Sequence, residues 1–255
     1  MSKALKSYAA ARAWLLTPFS PRRFWALGIV AGDLDGMARF RIKPRISWSQ
    51  DGEDFILEKL ERDPGFYVDV GAHHPHRFSV TKRLYQAGWS GISIDFTTSI
   101  DTVFPRERPR DINVRALVGP SGSAKFFRFA EPALSTLDPE RAKLLQQSGE
   151  QLASVEDATV TPLSMLLPSL TAPRVIGLLT VDVEGMDLPV LESHDGKAYP
   201  VIRCLVEISQ PAYLVRESPV AEFLATHGLL PTRVLQNSVL FERVGEADPS
   251  EASPR

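Results

Sequence analysis

Short apolar runs alternate with stretches of helical periodicity along most of this chain. The run Phe66-Tyr67-Val68-Asp69-Val70 has the length and continuity of a strand buried on both faces, and Gly71 and Ala72 end it in a small-residue turn. The pattern then predicts a helix near 78–87 stopped by Gly88 and a second strand at 91–95, together a βαβ unit. Upstream, Phe55, Ile56 and Leu60 share one helical face, with Ser49, or Asp51 and Asp54, as capping candidates. A third parallel strand is expected over 111–118, and after the turn Gly119-Pro120-Ser121-Gly122 an inserted strand at 124–129 with clear alternation. Residues 131–159 hold Pro132, Leu134-Ser135-Thr136-Leu137 and a helical, polar run to Gly149, and predict an excursion over the sheet, of the kind that forms substrate walls. Beyond it the pattern gives a helix near 162–170, an apolar strand at 176–182, a helix starting near Asp187, a strand at 201–208, a helix at 220–226 ended by Gly228, and β-like runs at 229–235 and 238–243. Strands alternating with helices and closing in a hairpin-like pair argue for an α/β fold, a mostly parallel open sheet with an antiparallel edge.

Composition changes this picture little. Within 255 residues there is no low-complexity linker and no internal repeat, so one domain over 47–244 is expected, with an N-terminal extension at 1–46 and a polar tail at 245–255. A hydrophobic fraction of 44% and a net charge of −2 describe an ordinary core without the basic field that nucleic-acid binding needs, so no nucleic-acid partner is expected. The lone Cys204 sits in an apolar run, rules out an intrachain disulfide and makes the cytoplasm the simplest compartment. Residues 1–32 hold Lys3, Lys6, Arg12, Arg22 and Arg23, no acid and several aromatics, with Pro18 and Pro21 interrupting them far short of the ~20 apolar residues of a membrane span. Peripheral contact with the inner face of an anionic membrane, packing on the domain and disorder all remain open for this segment.

In open α/β sheets ligands collect beyond the carboxyl ends of the strands. The turn at Gly71 and Ala72 lets main-chain N–H groups approach a ligand there, with Asp69 facing it as an acceptor, and Asp95 ends the second strand where such sheets grip a ribose diol. No G-x-G-x-x-G is present. A pyrophosphate needs that glycine loop and S-adenosylmethionine does not, so the turn favours a methyl donor over NAD. Asp182 and Glu184 follow the fourth parallel strand and Glu207 closes the fifth, its predicted neighbour. These carboxylates can accept a proton from an acceptor hydroxyl, orient it, or bind a divalent cation; Asp182 or Glu184 can equally cap the next helix. His73 and His74 are further candidates for a base or a sugar contact. There is no H-E-x-x-H, cysteine cluster, Walker loop or G-x-S-x-G.

Taken in order, Ser49 to Asp54, Phe66 to Pro75, Phe78-Ser79-Val80-Thr81, Gly88 to Asp95, Arg108 to Asn113, Leu134-Ser135-Thr136-Leu137, Thr180 to Gly185 and Asn237 to Phe241 resemble the motifs of the FkbM family of S-adenosylmethionine-dependent methyltransferases, over about residues 47–243. The resemblance implies a Rossmann-like class I methyltransferase fold and, most often, O-methylation of a sugar in a glycan, a polysaccharide or a glycosylated metabolite. By position it places Asp69, Gly71 and Ala72 in the cofactor turn, Asp95 on the ribose, and Gln50 and Glu53 in a motif near the methionine end of the cofactor. Many relatives carry Asn-Pro after the second strand, where this chain has Phe96-Thr97-Thr98; Phe96 can stack on the adenine or belong to the core. The expected catalytic set is Asp182, Glu184, Glu207, His73 and His74, with a divalent metal left open. Two other readings stand beside it: a non-catalytic cofactor-binding or scaffolding module at a membrane, and a methyltransferase for an amine or a carboxylate.

Overall fold

The computed structural model describes residues 23–25, 45–208 and 212–244. In chain order the strands are β1 Arg23–Trp25, β2 Arg45–Ser47, β3 Phe66–Val70, β4 Ser90–Asp95, β5 Ile112–Arg115, β6 Leu117–Val118, β7 Gly122–Phe129, β8 Leu152–Thr161, β9 Leu178–Val181, β10 Arg203–Glu207, β11 Leu229–Val234 and β12 Ser238–Arg243. The α-helices are α1 Glu53–Ile56, α2 Lys82–Gln86, α3 Ser99–Thr102, α4 Phe104–Glu107, α5 Pro139–Gln147, α6 Leu163–Leu170, α7 Asp187–Glu192 and α8 Pro219–Thr226.

Seven strands form one sheet in the order β11-β12-β10-β9-β3-β4-β5. β5, β4, β3, β9 and β10 run parallel, while β12 is antiparallel to β10 and to β11. The chain therefore winds outward from β3 through β4 to β5, then returns to the other side of β3 and winds through β9 to β10. The reversal between β3 and β9 is a topological switch point, where the loops leaving the two strands diverge and open a crevice. This is the Rossmann-like open sheet with an antiparallel edge that the alternation predicts.

Every residue of β3 is buried, and its pleat sends alternate side chains to two cores. Phe66, Val68 and Val70 pack with Ile92, Ile94, Val181 and Val206 and with Leu163 and Leu167 of α6. Tyr67 faces the other way, with Leu178, Leu205, Trp89 and Leu57. Full burial of each such aliphatic side chain contributes about 1.5–3 kcal/mol, which makes the central strands the rigid part to which the site is attached.

Several elements depart from the sequence expectation. The stretch 111–118 is two strands: β5 ends at Arg115, and β6 leaves to pair with Val160 and Thr161 in a second sheet of order β6-β8-β7. The excursion at 131–159 contains the expected helical run, as α5, but also a 3₁₀ turn at Pro132–Leu134 and most of β8, a long strand antiparallel to β7 from Gly122↔Val160 to Phe129↔Leu152. β8 escaped prediction because it lies largely on the surface and offers no apolar stripe; its ladder with β7 defines it. The helix expected at 78–87 is shorter, because Phe78 takes a left-handed φ of 57° and only Lys82–Gln86 is helical. The helix near 55–60 is α1 followed by a 3₁₀ segment at Glu58–Arg62, entered through Gly52 with no side-chain cap. Of the N-terminal extension the described part is a short antiparallel ladder, Arg23↔Ser47 to Trp25↔Arg45. The rest of the extension, with its expected membrane contact, and the tail lie outside the described residues.

Candidate functional site

The β3 turn and the β9 turn are built against each other. Gly71 has a left-handed φ of 86°. Its N–H and that of Ala72 both donate to the Ile94 carbonyl, at 2.9 and 3.1 Å, and the Asp182 N–H donates to the Val70 carbonyl at 3.0 Å. A Cβ added at Gly71 would run into the carbonyl oxygen of Asp182. Glycine is thus required twice, for its backbone conformation and for the close approach of the two loops.

A cavity of ≈ 840 Å³, open to solvent, lies over these turns. On the β4 side Asp95 accepts the His73 N–H at 2.8 Å on one oxygen and the Thr97 N–H at 2.6 Å on the other. A carboxylate has about four lone-pair positions, so each oxygen retains capacity for a ligand hydroxyl. His73 lines the cavity in a left-handed conformation, φ 49°, its ring stacked on Phe78 at 5.9 Å. Its Nδ1 is buried with no protein partner, and burial holds the imidazole below its ordinary pKa, hence neutral. Phe96 also lines the cavity; it meets Phe126 edge-on at 5.2 Å and packs beside Leu117, Val160 and Leu137. Of the two sequence readings of Phe96 the structure shows the core one, and the residue also lines the cavity. Gln50 reaches the cavity as well.

Asp182 and Glu184 line the opposite side. With Glu207 they bring one carboxylate oxygen each to within 4.8 Å of one another, which makes them a group able to hold a cation. Glu184 adopts a left-handed φ of 56°, followed by Gly185 at 103°. This turn aims Glu184 at α5, where Arg141 donates to its Oε2 from Nη2 at 2.5 Å and from Nε at 3.2 Å. Thr136 adds a hydrogen bond to the Glu184 carbonyl at 2.8 Å. Neither Asp182 nor Glu184 caps α7; Asp187 accepts the Val183 and Gly185 N–H groups at 3.2 and 3.3 Å. Burial raises the Asp187 carboxyl to about 6 against those bonds. The Asp182 carboxyl is pushed well above the ordinary range, first by loss of water at the cavity floor and then by Glu207, Asp187 and Glu184. By surface area, however, Asp182 is an exposed residue. Solvent tempers the first cause there, and the crowding of like charge is the firmer one.

Other expected site residues lie behind the cavity wall. Asp69 does not face a ligand: it is buried between strands, and its two oxygens accept from Thr81 Oγ1 at 2.6 Å and Thr180 Oγ1 at 2.7 Å. Strand alternation sends Asp69 to the face opposite the expectation, into a polar cluster that continues through Thr81 to the fully buried Arg108. Ala72 packs on Ile100 and Phe104. Glu53 accepts from the Asp51 N–H at 2.8 Å and Ser238 Oγ at 3.2 Å, and Asn237 donates to Asp51 at 2.8 Å. The motif at 49–54 therefore docks on the start of β12, and of its members Gln50 enters the cavity. His74 closes its own loop, its Nδ1 accepting from the His76 and Arg77 N–H groups at 3.1 and 3.3 Å. Glu207 stands behind Asp182 and Glu184, outside the cavity lining. Sequence reasoning missed Arg141, which sits in a polar helix without any local signal; the Leu134–Leu137 segment, read as part of an excursion that forms substrate walls, does line the cavity through Ser135, Thr136 and Leu137.

A family model described as "Methyltransferase FkbM domain" matches residues 69–230. The match begins at β3 and ends in β11, so it spans the switch point and both turns that bound the cavity. No curated protein matches the chain.

Proposed function

The chain belongs to the FkbM methyltransferase family, and from that premise we propose that it transfers the methyl group of S-adenosylmethionine to a hydroxyl of a sugar. The observation that carries this reading is one cavity with a diol-accepting carboxylate, Asp95, on one side of a side-chain-free turn at Gly71 and an acidic pair, Asp182 and Glu184, on the other. The residues fit the donor: Asp95 has lone pairs for the ribose hydroxyls, Phe96, Leu117, Val118 and Phe126 offer an apolar wall for the adenine, and Gly71 lines the cavity between them without a side chain, its N–H and that of Ala72 being taken by the Ile94 carbonyl rather than free for a ligand. The bound donor supplies an electrophilic methyl carbon on a sulfonium.

The protein's task is then to align an acceptor oxygen and take its proton. Asp182 is the group for that step. It faces the cavity, and the like charges around it raise its affinity for a proton. Glu184, held by Arg141, orients the acceptor through a second hydrogen bond. His73 stays neutral and contributes its ring to the cavity wall.

Calorimetry with S-adenosylmethionine and S-adenosylhomocysteine tests the donor half of this reading. Asp95→Ala is expected to weaken both by about ten- to a hundred-fold, through loss of ~1.5–3 kcal/mol of charge-assisted hydrogen bonding. Asp182→Asn tests the acceptor half: donor affinity is retained while transfer falls by ~10² to 10⁴. EDTA followed by Mg²⁺ leaves the rate unchanged if Asp182 acts directly as base, whereas a loss and recovery of activity would assign the carboxylates to a metal.

A further inference from the structure

We infer that the part of the acceptor entering this cavity carries no anionic group: the methylated sugar is a neutral or amino sugar, not a uronate or a phosphorylated sugar. This rests on the sugar O-methyltransferase reading and narrows it. Asp95, Asp182 and Glu184 line the cavity, and no lysine or arginine is among the described residues that line it. Its other polar lining groups include Gln50, Thr97, Ser135 and Thr136, all neutral, which can exchange hydrogen bonds with hydroxyls.

Four described cations beside the lining residues are already engaged. Arg77 donates to both oxygens of Glu131 at 3.0 and 2.8 Å. Arg128 pairs with Glu156 at 2.6 Å, and Arg115 with Asp101 at 3.2 Å, while both lie over the Phe96 ring. Arg141, the guanidinium on the acidic group itself, is bound to Glu184. Recruiting any of them for an incoming anion would break an existing pair and leave its carboxylate beside the new charge. The donor agrees with this field, because its sulfonium and ammonium outnumber its carboxylate and make it a net cation.

A hydroxyl can donate to the carboxylates lining the cavity, whereas an anion gains no such bond and meets their charge, of which Arg141 offsets only the part on Glu184. For one added carboxylate about 5 Å from one of these charges, at an effective dielectric of about 20, the repulsion amounts to roughly a hundred-fold in binding. Discrimination of that size is large enough to read in the products.

The test uses the full chain, labelled S-adenosylmethionine and a surface-glycan extract from the organism that makes the protein. After mild acid hydrolysis the labelled sugars are passed over an anion exchanger. Label in the unretained fraction, as a neutral or basic O-methyl sugar, is the expected result. Label retained as a uronate or a sugar phosphate overturns this inference and leaves the sugar O-methyltransferase reading standing. Label on no sugar at all, with donor binding intact by calorimetry, overturns that reading and this inference with it.

Discussion

His74 illustrates how one side chain in this loop does a structural task with a functional neighbour. Its Nδ1 can accept the His76 and Arg77 N–H groups only while unprotonated. Burial, then the charges of His73, His76 and Arg77, lower its pKa from 6.5 to about 4. In the unfolded chain the imidazole takes up its proton as pH falls through 6.5, while the folded chain holds it off to about 4. The stability this residue contributes is therefore complete above pH 6.5 and is lost on acidification from there toward 4. His74→Asn keeps an acceptor for the two N–H groups and removes the titration. Urea unfolding of the variant at several pH values across that window should show a shallower loss of stability than the parent, and parallel curves would assign the acid sensitivity to another group. His73, one residue earlier, lines the cavity instead, since its left-handed backbone turns the ring onto Phe78.

Among the elements, β3 and β9 are joined by more than their ladder. Asp69 and Thr180 are register partners, and the Thr180 hydroxyl donates to the buried Asp69 carboxylate. That carboxyl is raised by burial, and the Thr81 and Thr180 hydroxyls offset part of the cost. Thr180→Val preserves shape and β-propensity but leaves one oxygen of a buried acid without its donor. A loss of about 1–3 kcal/mol in unfolding free energy at unchanged m-value is expected from denaturant titration. A neutral result would show that the remaining bond to Thr81 suffices. The same logic explains why α5, polar and poorly marked in sequence, has a fixed place: Asp138 caps it, and Arg141 ties it to the β9 turn.

Across the whole molecule, the cavity is walled by two sheets. The seven-stranded sheet supplies Gly71, Asp95 and Asp182, while β6, β7 and the segment leading to α5 supply Leu117, Phe126, Thr136 and Leu137. A ligand filling it must hold these layers together. S-adenosylhomocysteine at a hundred times its Kd should stabilise the protein by about 2.7 kcal/mol. It should also slow amide exchange at 117–137 as well as at 71–73 and 95–97. Protection confined to the large sheet would remove the smaller sheet from the binding site. No described helix is long and apolar enough to cross a membrane.

By itself the sequence determined the α/β class, the central strands and the strand ends that border the cavity. Runs such as Phe66–Val70 and Leu178–Val181 report burial on both faces, and Gly71 reports a backbone that no side chain can occupy; both are local properties of the chain. The spacing of Asp95, Asp182 and Glu184 after their strands was legible for the same reason. Tertiary structure alone decided that Asp69 turns inward to a threonine 111 residues away, that β8 is a strand, and that Arg141 neutralises one of the clustered acids. Those outcomes depend on strand order and on pairing between distant segments. Residue type and local periodicity carry no record of which distant group will be opposite, so the charge balance in the cavity became readable when the sheet brought the loops together.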